Sequence, residues 1–315
     1  MKWIKVIGFA MLFVVGLQAQ ASKASAEELL NEAQAGLKAG DFAKAEFWFR
    51  DLRTSYPRDL RGGLGLIAAL DAQNKVGDAL KVARETEPLF PKSAVHSMWV
   101  GRLLVKLDRT PEAMDAYQRA LTKAASPAES AVIYGLIGDG YQDLDELDLA
   151  IGAYRKAKQM SGRPSFPLAY SLGVKGDFTS AETEYRAVLR ENPDVPAALN
   201  NLAYGWAERG ENLNEALVFS QRAVALSPRV AVMEDTLGWV YFKRGMIEDA
   251  ETTMLGALSY EGGNQGTLRE HLAAVMDARG AWTEDRRALR ALLEGDLNAS
   301  KVARMKLLIA RVRVK

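Results

Sequence analysis

The sequence predicts an all-α solenoid, a stack of helix-turn-helix units that repeat along the chain. Three observations lead to this prediction: a small residue recurs about every 34 residues, an amphipathic stretch precedes each recurrence, and glycine or proline separates the stretches. The composition agrees, because 48% of the 315 residues are hydrophobic and 26% are charged. These values are close to the globular average and exclude disordered, collagen-like and many-spanning membrane chains.

The repeat is clearest in two ten-residue segments. Residues 40–49 read GDFAKAEFWF, and residues 176–185 read GDFTSAETEY. The small residue within this phrase marks each unit, and the markers are Ala45, Ala79, Ala113, Ala150, Ala181, Ala216 and Ala250. The six intervals between them have a mean of about 34 residues, which indicates one structural unit repeated along the chain.

Each unit is predicted to be a pair of helices. Before the marker, apolar residues recur at helical spacing, as at Leu202 and Trp206, and they predict a first helix with one inward stripe. Small residues eight positions into the unit and at the marker allow the two helices to approach closely. Between the helices, Gly40 can adopt the left-handed conformation that ends the first helix, and Asp41 can cap the second.

The combined pattern, Trp/Leu-x-x-Leu-Gly-x-x-Tyr followed by Ala-x-x-x-Phe and a proline, resembles the tetratricopeptide repeat family. It covers residues 27–260, and a weaker eighth unit covers residues 267–294, where Asp285 replaces the expected small residue. The resemblance implies a right-handed solenoid of about seven or eight repeats, whose first helices line a concave face. The carboxylate-clamp mode of this family is not expected, because no unit has a basic residue at position 5.

The first 26 residues predict an export signal. Two lysines precede an apolar run over residues 6–17, and small-x-small sites predict cleavage after Ala21 or Ala26. The run is shorter than the roughly 20 apolar residues that cross a bilayer, and an uncleaved anchor is the alternative. Either outcome places the rest of the chain outside the cytoplasm, in the periplasm or cell envelope. The formal charge falls from +1 to −2 on cleavage after Ala26, because this segment holds three lysines and no acidic residue.

The exported chain is predicted to form two blocks of about four repeats each. The first covers residues 27–162 and the second residues 163–294, and a basic capping helix follows over residues 295–315. The boundary depends on Pro164 and Pro167, which fall within the shortest interval and must shorten the first helix of that unit. A joint between the blocks is therefore expected near residue 163.

An aromatic ladder is predicted on the concave face of the second block. In the family that the chain resembles, positions 5, 9 and 12 of each first helix face the groove. In the fifth to seventh units these positions include Phe166, Tyr170, Asn200, Tyr204, Asp235, Trp239 and Phe242. Large rigid side chains beside polar groups are typical of interface hot spots, so a peptide segment or a partner helix is the expected ligand. The alternative is that Tyr204 and Trp239 only fill the space between adjacent helices.

The segment from residue 296 to 315 is strongly basic, with a local net charge of +5. It also has an apolar stripe, formed by Val302, Met305, Ile309 and Val312. One interpretation is a helix that caps the end of the stack and leaves its charged face in solvent. The other is contact with an anionic membrane surface through Lys301, Arg304, Lys306, Arg311 and Arg313.

Signatures of catalysis are absent from the sequence. The chain has no cysteine and two histidines, and it lacks serine-hydrolase, phosphate-loop and zinc-protease motifs. No catalytic, cofactor-binding or metal-binding residue is predicted, and the near-zero net charge argues against nucleic acid as a partner. The sequence therefore predicts a non-catalytic, exported scaffold that binds other proteins. By analogy with similar chains, we expect it to serve a secretion, pilus or polysaccharide export machine. A peripheral membrane tether that acts through the basic helix is the alternative.

Overall fold

The computed structural model describes residues 24–260, 266–280, 283–293 and 299–314. Across these ranges the chain forms helices and no strand, which confirms the predicted all-α class. The helices are α1 (Ala26–Ala39), α2 (Phe42–Ser55), α3 (Leu60–Ala72), α4 (Val76–Thr86), α5 (Ala94–Val105), α6 (Thr110–Lys123), α7 (Pro127–Asp143), α8 (Leu147–Ser161), α9 (Phe166–Val174), α10 (Phe178–Glu191), α11 (Pro196–Arg209), α12 (Leu213–Leu226), α13 (Ala231–Lys243), α14 (Ile247–Ala257), α15 (Gly266–Arg279), α16 (Glu284–Leu293) and α17 (Ala299–Val314).

The apolar run of the predicted export signal lies outside the described residues. In the part of the chain that the structure describes, no helix is both long enough and apolar enough to span a bilayer. The cleavage and the export of the chain stay predictions.

The predicted helix ends are confirmed at the first repeat and recur at the fifth. Gly40 has φ = 72° and ends α1, and the side chain of Asp41 accepts a hydrogen bond from the Lys44 backbone N–H at 2.9 Å. In the fifth repeat, Asp177 accepts one from the Ser180 N–H at 3.2 Å. These bonds satisfy N–H groups that a helix start otherwise leaves without a partner, so the Gly-Asp pair determines where the turn lies in these two repeats.

The contacts divide the chain into two compact units, residues 1–146 and residues 147–315. This division differs from the predicted boundary at residue 163, because α8 packs against α9 within the second unit. The Ser165 N–H donates to Glu184 Oε1 at 2.6 Å, which fastens the proline segment to α10. Pro167 lies in the first turn of α9, where its missing N–H costs no helical hydrogen bond. The prolines shorten α9 to nine residues, as expected, without separating two blocks.

The first unit is a stack of helix pairs in which each helix packs against the next one along the chain. The first helices also contact each other in succession, from α1 to α3, α5 and α7. Within a pair, glycine allows the close approach: a Cβ on Gly101 of α5 would lie 2.3 Å from the Tyr117 ring of α6. Both Tyr117 and the marker Ala113 are buried at this contact.

Within the second unit, from α8 to α17, the helices pack in the same manner. Its first helices contact each other in order, α9 with α11, α11 with α13 and α13 with α15. Trp206 of α11 is fully buried and packs against Phe219 of α12, with ring centroids 5.5 Å apart. These contacts fix the positions of α9, α11 and α13, and therefore the positions of the predicted ladder residues on them.

The carboxyl end of the second unit has its own core, built from α14 to α17. Its members include Met254, Leu272, Leu289, Met305 and Ile309, all at most 3% exposed. The predicted eighth unit is present as α15 and α16, and α17 packs against α14 and α16. The capping interpretation of the last helix therefore matches the burial of its apolar side.

Candidate interaction site in the second unit

The seven predicted groove residues lie on three successive first helices. Phe166 and Tyr170 are on α9, Asn200 and Tyr204 on α11, and Asp235, Trp239 and Phe242 on α13. Their exposure differs widely. Tyr170 is 42% exposed, the other aromatic residues are half-buried, and Asn200 and Asp235 are buried. Of the seven predicted groove residues, Tyr170 is therefore exposed to solvent, and the other six are half-buried or buried.

A pocket opens between α9, α10 and α11, with a volume of about 200 Å³. We call it the α9–α11 pocket. Its wall is mainly apolar and includes Tyr170, Val174, Phe178, Tyr185, Leu202 and Tyr204. Val174 is 60% exposed beside Tyr170, whereas Tyr185 and Leu202 are buried in the helix packing. An apolar pocket with fixed walls and two exposed apolar side chains at its rim is suited to receive a side chain of another molecule.

Three polar residues also line this pocket. Asn201 donates a hydrogen bond from Nδ2 to the Tyr185 hydroxyl at 3.1 Å, so its amide is held against the wall. Arg209 lies over the Phe178 ring at 5.3 Å and pairs with Glu182 at 3.4 Å. Burial raises the pKa of Tyr185 to about 12, so its hydroxyl stays protonated at neutral pH. These contacts make the polar part of the wall rigid.

A second group of aromatic residues surrounds His271, which lies on α15 and was not predicted as a site residue. The Trp239 ring stacks on the His271 ring at 4.0 Å and 13°, and it stacks on Phe242 at 5.0 Å. Asp235 Oδ1 lies 2.9 Å from His271 Nδ1, and both side chains are buried. We call Asp235, Trp239, Phe242 and His271 the Trp239–His271 cluster.

Tyr204 connects the pocket and the cluster. It lines the α9–α11 pocket, and its ring centroid is 6.1 Å from that of His271. The imidazole of His271 therefore lies near both Tyr204 and Trp239, two of the aromatic residues of the predicted ladder. The spacing of 36 residues between Asp235 and His271, about one repeat, is the sequence signal that could have found this pair.

Phe166 and Asn200 serve the packing around the pocket. The Phe166 ring lies 5.8 Å from the Tyr185 ring, and Asn200 is 4% exposed. Asn200 Nδ2 donates to Asn201 Oδ1 at 3.3 Å, while Asn200 Oδ1 has no hydrogen-bond partner among the described residues. Asn201 is not among the seven predicted groove residues, and in the structure it lines the pocket.

Carboxylates concentrate around Tyr204. Burial raises the pKa of the Tyr204 hydroxyl, and the nearby carboxylates of Glu208, Asp235 and Glu270 raise it further. Glu208 Oε1 accepts a hydrogen bond from the Trp239 indole N–H at 2.5 Å. Lys243 Nζ lies over the same indole, 4.8 Å from the ring centre. Acidic groups therefore outnumber cations on this side of Tyr204.

The predicted anionic-surface contacts lie on α17. Lys301, Arg304 and Lys306 are exposed, whereas the side chains of Arg311 and Arg313 lie outside the described residues. Met305, Leu308, Ile309 and Val312 are buried in the core of the second unit. These four residues are not available to a membrane, whereas the exposed surface carries the charges together with Leu307, which is 55% exposed. Contact with lipid stays a prediction.

The tetratricopeptide repeat family model matches residues 64–130 and 166–230. The chain contains tetratricopeptide repeats. The second match spans every residue that lines the α9–α11 pocket, so the pocket belongs to these repeats. Proteins of this family are generally non-catalytic interaction scaffolds that bind protein or peptide partners.

Other proteins share these repeats. The TPR repeat-containing protein PA4667 of Pseudomonas aeruginosa is 26% identical over 164 residues, which are 50% of this chain and 27% of that protein. The chain thus spans about a quarter of the curated relative. A tetratricopeptide repeat protein from Parabacteroides merdae matches with a TM-score of 0.56 and 18% identity, covering 80% of this chain and 98% of that one.

A second solved structure, of the APC/C hetero-tetramer Cut9–Hcn1, matches with a TM-score of 0.57 and 17% identity. This match covers 93% of the chain and 57% of the other. At these identities the two structures show the fold alone, and they confirm the predicted all-α solenoid.

Proposed function

We propose that the protein is a non-catalytic scaffold that binds a peptide segment or a helix of a partner protein at the α9–α11 pocket. The observation that carries this proposal is the exposure of Tyr170 and Val174, 42% and 60%, at the rim of an apolar pocket. Exposed apolar surface next to a concave apolar wall is typical of a binding site. The wider family supports the proposal, since tetratricopeptide repeats generally bind proteins or peptides.

The pocket is prepared for binding at little entropic cost. Tyr185 and Leu202 are fixed by burial, Asn201 is held by its hydrogen bond to Tyr185, and Arg209 is held by its ion pair with Glu182. A ligand would then need to order little more than the Tyr170 ring, which has two side-chain torsions. Preorganisation of this kind lets a small contact area support specific binding.

The place of action that we propose is the cell envelope, where the scaffold would help assemble a secretion, pilus or polysaccharide export machine. The support is the pattern of the first 26 residues, with its lysines, apolar run and small-x-small sites. Fractionation of cells that produce a carboxyl-terminally tagged chain tests this part. Recovery in the cytoplasmic fraction with the first residues intact would contradict it.

Affinity capture with matched variants tests the binding role. The wild-type chain and Tyr170→Ala would be used as baits against an envelope extract, with Val218→Ala as the control. Val218 is 59% exposed on α12 and does not line the pocket, so both changes remove exposed apolar surface. We expect Tyr170→Ala to lose partners that Val218→Ala retains, with unchanged circular dichroism. Equal capture by the two variants would contradict a role for the pocket.

A further inference from the structure

We infer that the segment bound at the α9–α11 pocket carries a large apolar side chain next to one or more basic side chains. This inference rests on the proposed function and names the chemistry of the partner. The apolar side chain enters the pocket between Tyr170 and Tyr204, and the basic one lies beside Tyr204 against Glu208 and Glu270.

The apolar half of the inference follows from the shape and lining of the pocket. Val174, Phe178 and Leu202 supply aliphatic and aromatic wall, and the only charged groups lining it, Glu182 and Arg209, pair with each other. A charged side chain placed here would lose water without gaining an unpaired opposite charge in the wall, which is unfavourable. An apolar side chain would instead remove both itself and the rim residues from water.

The basic half follows from the carboxylates that surround Tyr204. Glu208 and Glu270 are exposed, and neither has an ion pair with a lysine or arginine in the described ranges. Several other acidic residues of this unit are ion-paired, including Glu182 with Arg186 and Asp277 with Arg290. Two carboxylates near Tyr204 without an ion pair leave a local negative charge next to the pocket.

The cations nearby are already engaged in other contacts. Arg209 pairs with Glu182 and Glu211 and covers Phe178, and Lys243 lies over the Trp239 ring. A further cation near the Tyr204 hydroxyl would therefore be attracted by the carboxylates of Glu208 and Glu270. Charge complementarity thus favours a basic partner segment over an acidic one.

A random peptide library displayed on phage is the probe for this inference, with the full chain as the immobilised target. We expect enrichment of peptides in which Leu, Phe or Trp is adjacent to Lys or Arg. Binding of a selected peptide should be lost with Tyr170→Ala. It should also weaken as salt concentration rises, because exposed charge pairs are screened.

Variants that remove the two negative charges separate the electrostatic attraction of the peptide from the fit of its apolar side chain in the pocket. Glu208→Gln keeps an acceptor oxygen for the Trp239 indole N–H, and together with Glu270→Gln it removes two negative charges. Fluorescence anisotropy with a selected peptide should show affinity lower by roughly threefold to tenfold, the effect expected of exposed ion pairs. Glu191→Gln, an exposed change at the end of α10, should leave the affinity unchanged.

A pocket-filling variant tests the apolar contact without harming the fold. A Cβ on Gly205 would lie 3.8 Å from Arg209 Nη1 and 3.9 Å from Phe178 Cδ1, which is ordinary contact. Gly205→Ala should therefore fold at least as well as wild type and bind the peptide severalfold more weakly, since it narrows the pocket. Gly152→Ala on α8 meets nothing within 4 Å and should leave peptide affinity unchanged.

The outcomes distinguish this inference from the proposed function. Enriched peptides that need Tyr170 but are neutral or acidic would overturn the inference and leave the proposed function standing. An unchanged affinity of Glu208→Gln/Glu270→Gln would also overturn it. A library that yields no peptide dependent on Tyr170 would overturn both.

Discussion

Burial, rather than residue type, decides what each aromatic side chain does in the second unit. Trp206 has no exposed surface and lies between Arg186 and Phe219, whereas Tyr170 is 42% exposed at the rim of the α9–α11 pocket. Trp239 is intermediate, because His271 and Phe242 both stack on it. Residues at the same helical spacing thus lie in the core (Trp206), at the rim of the pocket (Tyr170) or in the Trp239–His271 cluster (Trp239).

The stability of two alanine variants should separate these roles. Trp206→Ala removes a fully buried ring and should lower the free energy of unfolding by about 3–5 kcal/mol. Tyr170→Ala should change it by no more than about 0.5 kcal/mol, because an exposed ring loses few contacts. Urea denaturation followed by circular dichroism measures both. A large loss for Tyr170→Ala would mean that this ring belongs to the core and that the pocket is not open.

One buried carboxylate should make the protein sensitive to acid. Glu46 is 8% exposed and accepts hydrogen bonds from Lys75, Gln73 and Arg50. The Lys75 bond in particular lowers the pKa of Glu46 from 4.5 to about 2. A lowered pKa in the folded state stabilises the fold above pH 4.5, and this contribution disappears as the pH falls toward 2.

Glu46→Gln removes this titration. Urea unfolding of wild type and variant should be compared at several pH values between 4.5 and 2, the window set by the two pKa values. We expect the free energy of unfolding of the variant to fall less steeply with decreasing pH. Parallel curves would show that Glu46 does not contribute to the acid sensitivity.

At the scale of helices, two contacts recur and together define the stack. Within a pair, a glycine on the first helix meets a large residue on the second, as Gly101 meets Tyr117 and Gly238 meets Met254. Between pairs, an acidic residue directly after the marker binds a basic side chain at or just past the end of the next first helix. These ion pairs are Glu46–Lys75, Glu182–Arg209 and Glu251–Arg279.

The glycine contact can be tested with one matched pair of substitutions. In Gly101→Ala the new Cβ would lie 2.3 Å from the buried Tyr117 ring, so the helices must separate. Overpacking of this kind costs about 1–3 kcal/mol, more than the gain of up to about 1 kcal/mol from helix propensity. Gly135→Ala on α7 meets nothing within 4 Å and should be stabilising. A higher melting temperature for Gly101→Ala than for Gly135→Ala would contradict the close approach of α5 and α6.

At the scale of the whole molecule, both ends of the described chain are tied to the repeats. Ser25 and Glu28 form a capping box at the start of α1, and the Tyr56 hydroxyl donates to the Ala24 carbonyl at 2.8 Å. At the other end, α17 buries Met305 and Ile309 in the core of the second unit. Each terminal helix is therefore held by specific contacts.

The amino-terminal contacts distinguish the two predicted cleavage sites. Cleavage after Ala26 would remove Ala24 and the Ser25 cap, and the loss of a cap costs about 1 kcal/mol. Cleavage after Ala21 would keep both. We expect the exported protein to begin at Ser22, and mass spectrometry of its amino terminus measures this. A protein that begins at Glu27 would show that the cap is dispensable.

The sequence by itself determined the period, the helix pairs and the turns between them. These features depend on local information: the conformational freedom of Gly40, the short side chain of Asp41, and apolar residues at helical spacing. The small residues at Gly101 and Ala113 also predicted where helices approach, because no larger side chain fits there.

Only the tertiary structure decided which ladder residues are open. His271, from the repeat after Trp239, lies near both Tyr204 and Trp239, and the pocket forms where α9, α10 and α11 leave space beside Tyr170. The division at residue 146 likewise depends on which helices pack together rather than on the prolines near residue 163. Helical spacing gives the side of a helix on which a residue lies, but exposure depends on neighbours from other repeats, which no single segment specifies.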